Sequence, residues 1–320
     1  MAIALLPPAR PCLGSCWMWE VIIVGGGPAG LSAALILGRC RRDVLLCDSG
    51  KPRNGKARWL HGFLTRDGIS PAEFRRHAHE QLAAYPNVRT VEGEAVDARC
   101  LDGGFEVTFA DGQTHATRML LLATGVKEEL PAIEGIDAIY GRSAFHCPYC
   151  DGWEQRDQPL AIFGRGRDGF RFALELSAWS NDLVLCTDGP SELSGEQLQR
   201  LSEAHIPVSE KPIERLESTD GQLERVVFVG GETLACNALF FKSVFSPGSD
   251  LATRLGCNLV EPGVVPTGAY ETTNIPGLYV AGDASREVQL TIVAAAEGAK
   301  AAFAIHSALL KAEVPKKRSG

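Results

Sequence analysis

The sequence predicts an α/β protein with two nucleotide-type βαβ units. A turn of the form G-x-G-x-x-G occurs twice, at Gly25–Gly30 and at Gly164–Gly169. Each turn follows a short apolar strand, opens a helix and leads to a second strand, which is the βαβ order of a parallel sheet. The chain has 320 residues, enough for two domains at ~100–200 residues each.

The elements follow in order. The opening MAIALLPPARPCLGSCW lacks a basic n-region and Pro7-Pro8 ends its apolar run, so residues 1–17 read as an extension. Glu20–Val24 is a strand, Gly25–Gly30 the turn, Leu31–Gly38 a helix and Val44–Cys47 the next strand, ending in Asp48. Val21–Gly38 is long enough to imitate a membrane span, but Gly25-Gly26-Gly27-Pro28 divides it into strand, turn and helix. Phe105–Phe109 and Gln113–Ala116 form a hairpin around Asp111-Gly112, and Met119–Leu122 is a buried strand entering Ala123-Thr124-Gly125. In the second unit Leu160–Phe163 is a strand, Phe170–Ser180 a helix and Leu183–Cys186 the returning strand. Val226–Val229 and Thr233–Ala235 flank Gly230-Gly231 as another hairpin, and Ala238–Phe241 leads back. Leu278–Ala281 is the last strand, and an Ala-rich helix covers about 290–310. No low-complexity tract and no further repeat is visible.

Composition narrows the function classes. A net charge of −7 gives no reason to expect nucleic acid or an anionic membrane as partner. Ten cysteines stand at 12, 16, 40, 47, 100, 147, 150, 186, 236 and 257. Most are isolated, which does not suit a secreted disulfide framework and predicts a reducing cytoplasm. Cys147 and Cys150 have redox spacing in FHCPYCDGWE. No second pair with zinc spacing accompanies them, so no metal is expected.

Gly25, Gly27 and Gly30 suit a dinucleotide turn: one for the tight bend, one for close approach of the pyrophosphate, one for helix–strand packing. The phosphate then meets the free N–H groups of the helix start, where Pro28 and Ala29 suit the first turn. Asp48, ending the next strand about 20 residues on, can accept from ribose hydroxyls. The second fingerprint reads as an eroded pyridine-nucleotide site. Asp168 puts a carboxylate at its mouth, where Arg165 and Arg167 can pair with phosphate or with Asp168 itself. No arginine is placed for an NADP 2′-phosphate, whereas Asp188 could serve an NAD ribose, so NADH is expected over NADPH if either binds.

The succession GGGPAG, LLATG, a central CxxC-Asp, a second GxGxxG and YVAGD resembles the low-molecular-weight thioredoxin reductase family, from about Met18 to the last helix. The resemblance implies two Rossmann-like three-layer nucleotide-binding domains, the FAD domain interrupted by a central domain carrying the CxxC. Its boundaries would be 18–126 for the first part of the FAD domain, 127–242 for the central domain and 243–320 for the second part. It assigns FAD to the first fingerprint. Ala123, Thr124 and Gly125 mark the crossover out of the FAD domain, and Gly282 and Asp283 the second FAD motif. Gln289, Leu290 and Thr291 present a helix start to the flavin ring, Val96 touches adenine through its backbone, and Asn54 with Trp59–Phe63 falls on the flavin-side loop. Trp59 and Phe63 equally suit simple core packing.

By the same resemblance Cys150 faces the flavin, Cys147 exchanges with an external disulfide or dithiol, and Asp151 is the acid/base residue. A mixed disulfide at Cys147 would be resolved by Cys150. A thioredoxin-like protein or a small-molecule dithiol or disulfide is the implied partner, and a homodimer the implied assembly. The chain departs from the family in lacking basic residues after the second unit's second strand. Electrons are therefore expected to pass by another route: a protein donor such as ferredoxin, a second bound flavin, or oxygen as acceptor in a dithiol oxidase. A non-enzymatic flavin redox sensor is the remaining alternative.

Overall fold

The computed structural model describes residues 19–260, 264–285 and 288–313; the expected extension over residues 1–17 lies outside them. Strand β1 (Trp19–Val24) enters helix α1 (Pro28–Arg39), then β2 (Val44–Asp48), α2 (Pro71–Leu82) and β3 (Val88–Glu92). Three antiparallel strands follow, β4 (Ala95–Leu101), β5 (Gly104–Phe109) and β6 (Thr114–Leu122). Strand β7 (Val126–Glu129) leads into α3 (Ile136–Ile139), β8 (Ala144–Phe145), α4 (Pro148–Asp151), β9 (Leu160–Phe163), α5 (Gly166–Leu176), β10 (Leu183–Cys186), α6 (Gly195–Glu203) and β11 (Val208–Ser209). Then come β12 (Ile213–Thr219), β13 (Gln222–Phe228), β14 (Thr233–Ala235), β15 (Ala238–Phe241) and β16 (Val244–Pro247). Helix α7 (Leu251–Arg254), β17 (Leu278–Val280) and α8 (Thr291–Glu313) complete the described chain.

These elements divide into two compact units. Of the described residues, the first comprises those up to Arg53, Arg75–Lys127 and those from Pro247 on; the second comprises Asn54–Phe74 and Glu128–Ser246.

The first unit is built on a sheet ordered β3-β2-β1-β6-β5-β4, with β17 also on β6. The sequence suggests two separate strands around residues 113–122, but β6 is continuous and does two jobs. Its first residues pair antiparallel with β5, with Phe105 opposite Thr117, and its last pair parallel with β17, with Leu278 opposite Leu120. Ile22, Leu45, Leu120 and Leu122 fill one face of the sheet, and Val21, Ile23, Leu46 and Leu121 the other. A parallel sheet covered on both faces needs such continuous apolar runs. Helix α8 lies against α1 so closely that a Cβ at Gly298 would stand 1.9 Å from the Ala29 carbonyl oxygen. Among the described residues α8 is the helix long and apolar enough to cross a membrane; Ala294, Ala301, Ala302, Ile305 and Leu309 on it are buried in the unit's core.

The second unit holds the parallel sheet β11-β10-β9-β15-β8 and the antiparallel sheet β12-β13-β14. Phe145, Ile162, Leu185 and Phe240 form one core, and Ala161, Leu239 and Phe241 join Val226 and Phe228 in another. Helix α5 runs from Gly166 to Leu176, earlier at both ends than the apolar spacing suggests. Its first turn is glycine and charge, which carry no apolar periodicity.

Candidate active site

The first glycine-rich turn forms a cradle. Gly25 has φ +113°, and a Cβ there would stand 2.2 Å from the Ala123 oxygen. A Cβ on Gly30 would stand 1.9 Å from the Gly25 oxygen, which locks α1 against the turn. Gly27, by contrast, has nothing within 4 Å of its Cβ position. Gly27 is also the N-cap of α1, with no side-chain cap and no acidic residue in the first turn. The N–H groups of Ala29 and Gly30, at the second and third helical positions, therefore have no intrahelical acceptor, and the open space at Gly27 leaves room for an anion at this helix start.

Asp48 ends β2 beside this cradle. Arg75 donates to Oδ2 at 2.6 Å, His79 Nε2 stands 3.6 Å away and the Gly50 N–H donates to Oδ1 at 3.0 Å. Burial pushes the Asp48 carboxyl up, but the hydrogen bonds from His79 and Gly50 and the Arg75 charge outweigh it and hold it below the usual range. It stays an ionised acceptor.

The Gly282-Asp283 turn is tied on both sides. The Gly282 N–H donates to buried Glu297 Oε2 at 2.8 Å, and Arg53 donates to Asp283 Oδ2 at 2.6 Å. Thr291 opens α8, and Leu290 accepts from Ala294 in its first turn, with Gln289 just before. Thr124 and Gly125 pack under Gly248, whose N–H donates to the Gly125 oxygen at 2.9 Å. Val96 is half-way through a register shift between Ala95 and Asp97 in the β4–β5 ladder, so its backbone lies outside regular pairing. Arg53, Arg75, His79 and Glu297 escape the sequence reading. The available signal was Glu297, an acid within an apolar, Ala-rich stretch of helix.

Asn54 lies in a short 3-10 turn, Arg53–Lys56, and the segment from Asn54 to Phe74 belongs to the second unit. There Phe63 packs edge-on against Phe74 at 5.1 Å, while Trp59 is exposed beneath the Arg58 guanidinium.

The dithiol sits at the start of α4, a four-residue helix with Cys147 as N-cap, and Cys147 and Cys150 are joined as a disulfide. Buried Phe145 in β8 anchors the approach. Gly152 follows α4 because a Cβ there would meet the Pro148 oxygen at 2.5 Å and the Trp179 ring at 3.0 Å. Burial, and then the Glu154 charge, push the Asp151 carboxyl up to about 7. A carboxyl in that range can both hold and release a proton near neutrality. His146, next to Cys147, has Nε2 3.5 Å from Glu128 Oε1 and Nδ1 3.4 Å from the Tyr140 hydroxyl. Tyr149 and Trp153 stand 67% and 65% exposed on either side of Cys150 and Asp151.

The second fingerprint is differently occupied. Arg165 bends across the end of β10, donating to the Thr187 oxygen at 2.5 Å and to the Asp188 oxygen, with the Asp188 carboxylate 3.5 Å away. Asp188 also accepts from the Ile213 N–H at 2.7 Å. Asp168, at the mouth, pairs with Lys242 at 3.1 Å. Arg165 and Asp168 thus pair not with each other but with Asp188 and Lys242.

The comparisons agree with this architecture. Residues 19–298 match the family model described as pyridine nucleotide-disulphide oxidoreductase. The chain is 31% identical to the thioredoxin reductase tcpT of Claviceps purpurea, over 82% of this chain and 86% of that protein. Among solved structures, a thioredoxin reductase TrxB of Bacillus anthracis superposes with a TM-score of 0.88 at 36% identity, covering 92% of this chain and all of the other. HlmI gives a TM-score of 0.87 at 34% identity, with 92% and 93% covered. The fold and its nucleotide cradle define a flavin-dependent oxidoreductase of the thioredoxin reductase type. The chain belongs to the pyridine nucleotide-disulphide oxidoreductase family.

Proposed function

We propose that this chain is an FAD-dependent thiol–disulfide oxidoreductase whose Cys147–Cys150 pair exchanges electrons with the flavin and whose other partner is not NADPH. The observation that carries it is Arg165, folded onto Thr187 and Asp188 where a nicotinamide nucleotide's ribose would bind. The first cradle fits FAD. Gly25, Gly27, Pro28, Ala29 and Gly30 would hold the pyrophosphate, Asp48 the ribose, Val96 the adenine, and Ala123–Gly125, Gly282, Asp283 and Gln289–Thr291 the remainder. The bound flavin would supply two-electron storage.

Cys147 attacks an external disulfide as thiolate, and the departing sulfur takes a proton. Cys150 then attacks Cys147, restoring the internal disulfide and releasing the second thiol. Asp151 supplies or accepts the proton, its carboxyl being poised near neutrality. The relatives' names favour a thioredoxin-like protein or another disulfide as substrate. A protein donor such as ferredoxin, or a second flavin, would then bring in the electrons. A homodimer in the cytoplasm belongs to the same reading.

A second reading is a dithiol oxidase that closes a disulfide in a small molecule and passes the electrons to oxygen. The exposed Tyr149 and Trp153 beside the dithiol favour it, since they offer flat apolar surface to a small ring. Anaerobic titration of the oxidised holoprotein with NADPH, NADH and dithiothreitol tests the proposal. Bleaching of the flavin by dithiothreitol alone is expected; fast bleaching by NADPH would overturn it. Hydrogen peroxide formed on admitting air, with continued dithiol turnover, would select the oxidase.

A further inference from the structure

The first glycine-rich turn lies among acids, and the stretch that forms it carries no charge to balance them. From Gly25 to Gly38 the chain reads GGGPAGLSAALILG, neutral throughout. Asp48 lies on one side: a Cβ on Gly26 would stand 2.2 Å from the Asp48 carboxyl carbon. The Gly282-Asp283 turn lies on the other: a Cβ on Gly282, whose φ is +81°, would stand 3.1 Å from the Ala29 Cβ. Behind that turn Glu297 Oε2 accepts from the Gly282 N–H at 2.8 Å and from the Ser285 hydroxyl at 3.4 Å, so it is already engaged. An anion at the start of α1 thus enters between Asp48 and Gly282-Asp283, and an uncompensated carboxylate on either side would repel it.

Each of these two acids is met by an arginine from elsewhere in the same unit. Arg75 on α2 donates to Asp48 Oδ2 at 2.6 Å, and Arg53, in the chain after β2, donates to Asp283 Oδ2 at 2.6 Å. Arg53 and Asp283 are 230 positions apart in sequence. Their side chains are only 17% and 19% exposed, so salt screens the pair weakly and loss of one charge leaves the other strongly felt.

We propose that Arg53 is a positioning residue of the flavin site: by pairing with Asp283 it cancels a charge that would otherwise repel the cofactor's pyrophosphate from the start of α1. The cation acts through the acid. Arg75 stands on Asp48 in the same way, which leaves Asp283 as the acid whose mask Arg53 alone supplies among these pairings. The proposal rests on the reading of the first cradle as the FAD site.

Full-length protein stripped of flavin is titrated with FAD, and binding is read by quenching of flavin fluorescence. Arg53→Met keeps a long side chain without its charge and should weaken FAD by about 30-fold, whereas Arg53→Lys should stay within about threefold of wild type. In an Asp283→Asn background, Arg53→Met should cost less than about threefold, because the charge it masked is gone. Arg42→Ala removes another buried arginine of this unit, paired with Glu20 and Glu313, and reads the effect of destabilisation alone; its affinity should match wild type. An Arg53→Met affinity equal to that of wild type or of Arg42→Ala overturns the proposal. A full loss that persists in the Asp283→Asn background overturns it too, and makes Arg53 a direct contact of the cofactor. Gly27→Glu tests the underlying reading separately, since its side chain enters open space at the helix start and should abolish FAD binding. Wild-type affinity in that variant would move the cofactor out of this cradle, whatever Arg53 does.

Discussion

In the proposed function Asp151 joins the dithiol's chemistry to the protein's pH response. Its native carboxyl holds a proton up to about 7, against an ordinary 3.8, so across that window the folded chain binds more protons than the unfolded one. Stability from this group is therefore full below 3.8 and falls as pH rises to about 7. Asp151→Asn should melt higher than wild type near about pH 8 and converge with it in acid, as scanning calorimetry across pH would show. The same variant should slow dithiol-to-flavin electron transfer by about 100-fold, measured by stopped-flow absorbance, because the proton loses its carrier. Asp151 was marked out by the family resemblance, from its place after Cys150. Glu154, three residues on, and His61, 93 positions away from Glu154, were not. Residue type does not say which carboxylate a histidine meets; the turn that Asp67 closes by accepting from the Gly62 N–H sets His61 Nε2 3.6 Å from Glu154.

The two glycine-rich turns separate at the level of elements. They share spacing and βαβ order, yet one leaves the Gly27 position open and the other draws Arg165 across the end of β10. Arg165→Ala should free Asp188 and tighten NADH binding by about tenfold, read by fluorescence quenching or by faster flavin bleaching. An unchanged affinity would mean that Arg165 does not block the site. The close seat of α8 on α1 makes a different prediction. Gly298→Val drives a side chain into the Ala29 carbonyl, and should cost about 2 kcal/mol in urea unfolding and weaken flavin retention with it. The strand–turn–helix runs were readable because apolar periodicity changes at the glycines. Helices α2 and α6 and strands β3, β4 and β12 went unread. Their exposed polar residues dilute that periodicity, and neighbouring elements stabilise them instead.

At the scale of the molecule, the late chain returns to the first unit and is fastened there. Buried Arg42 donates to Glu20 at 2.7 Å and to Glu313 at 2.6 Å, and its Nε stands 3.1 Å from His306. Arg42→Ala leaves the two carboxylates facing each other near Arg118 and should cost about 2 kcal/mol, checked by thermal unfolding of the holoprotein. Chain order and residue type, through the family they resemble, sufficed for the class of protein: two dinucleotide-type turns, a dithiol between them and an Asp beside it. They suffice because glycine spacing and cysteine spacing are local geometry, written within a few residues. What stands in each site is a matter of distant residues brought together. Arg53 on Asp283, Arg75 on Asp48, Glu297 under Gly282, Arg165 on Asp188 and His61 on Glu154 are all pairings across the fold. An ion pair depends on separation in space, and separation along the chain does not reveal it.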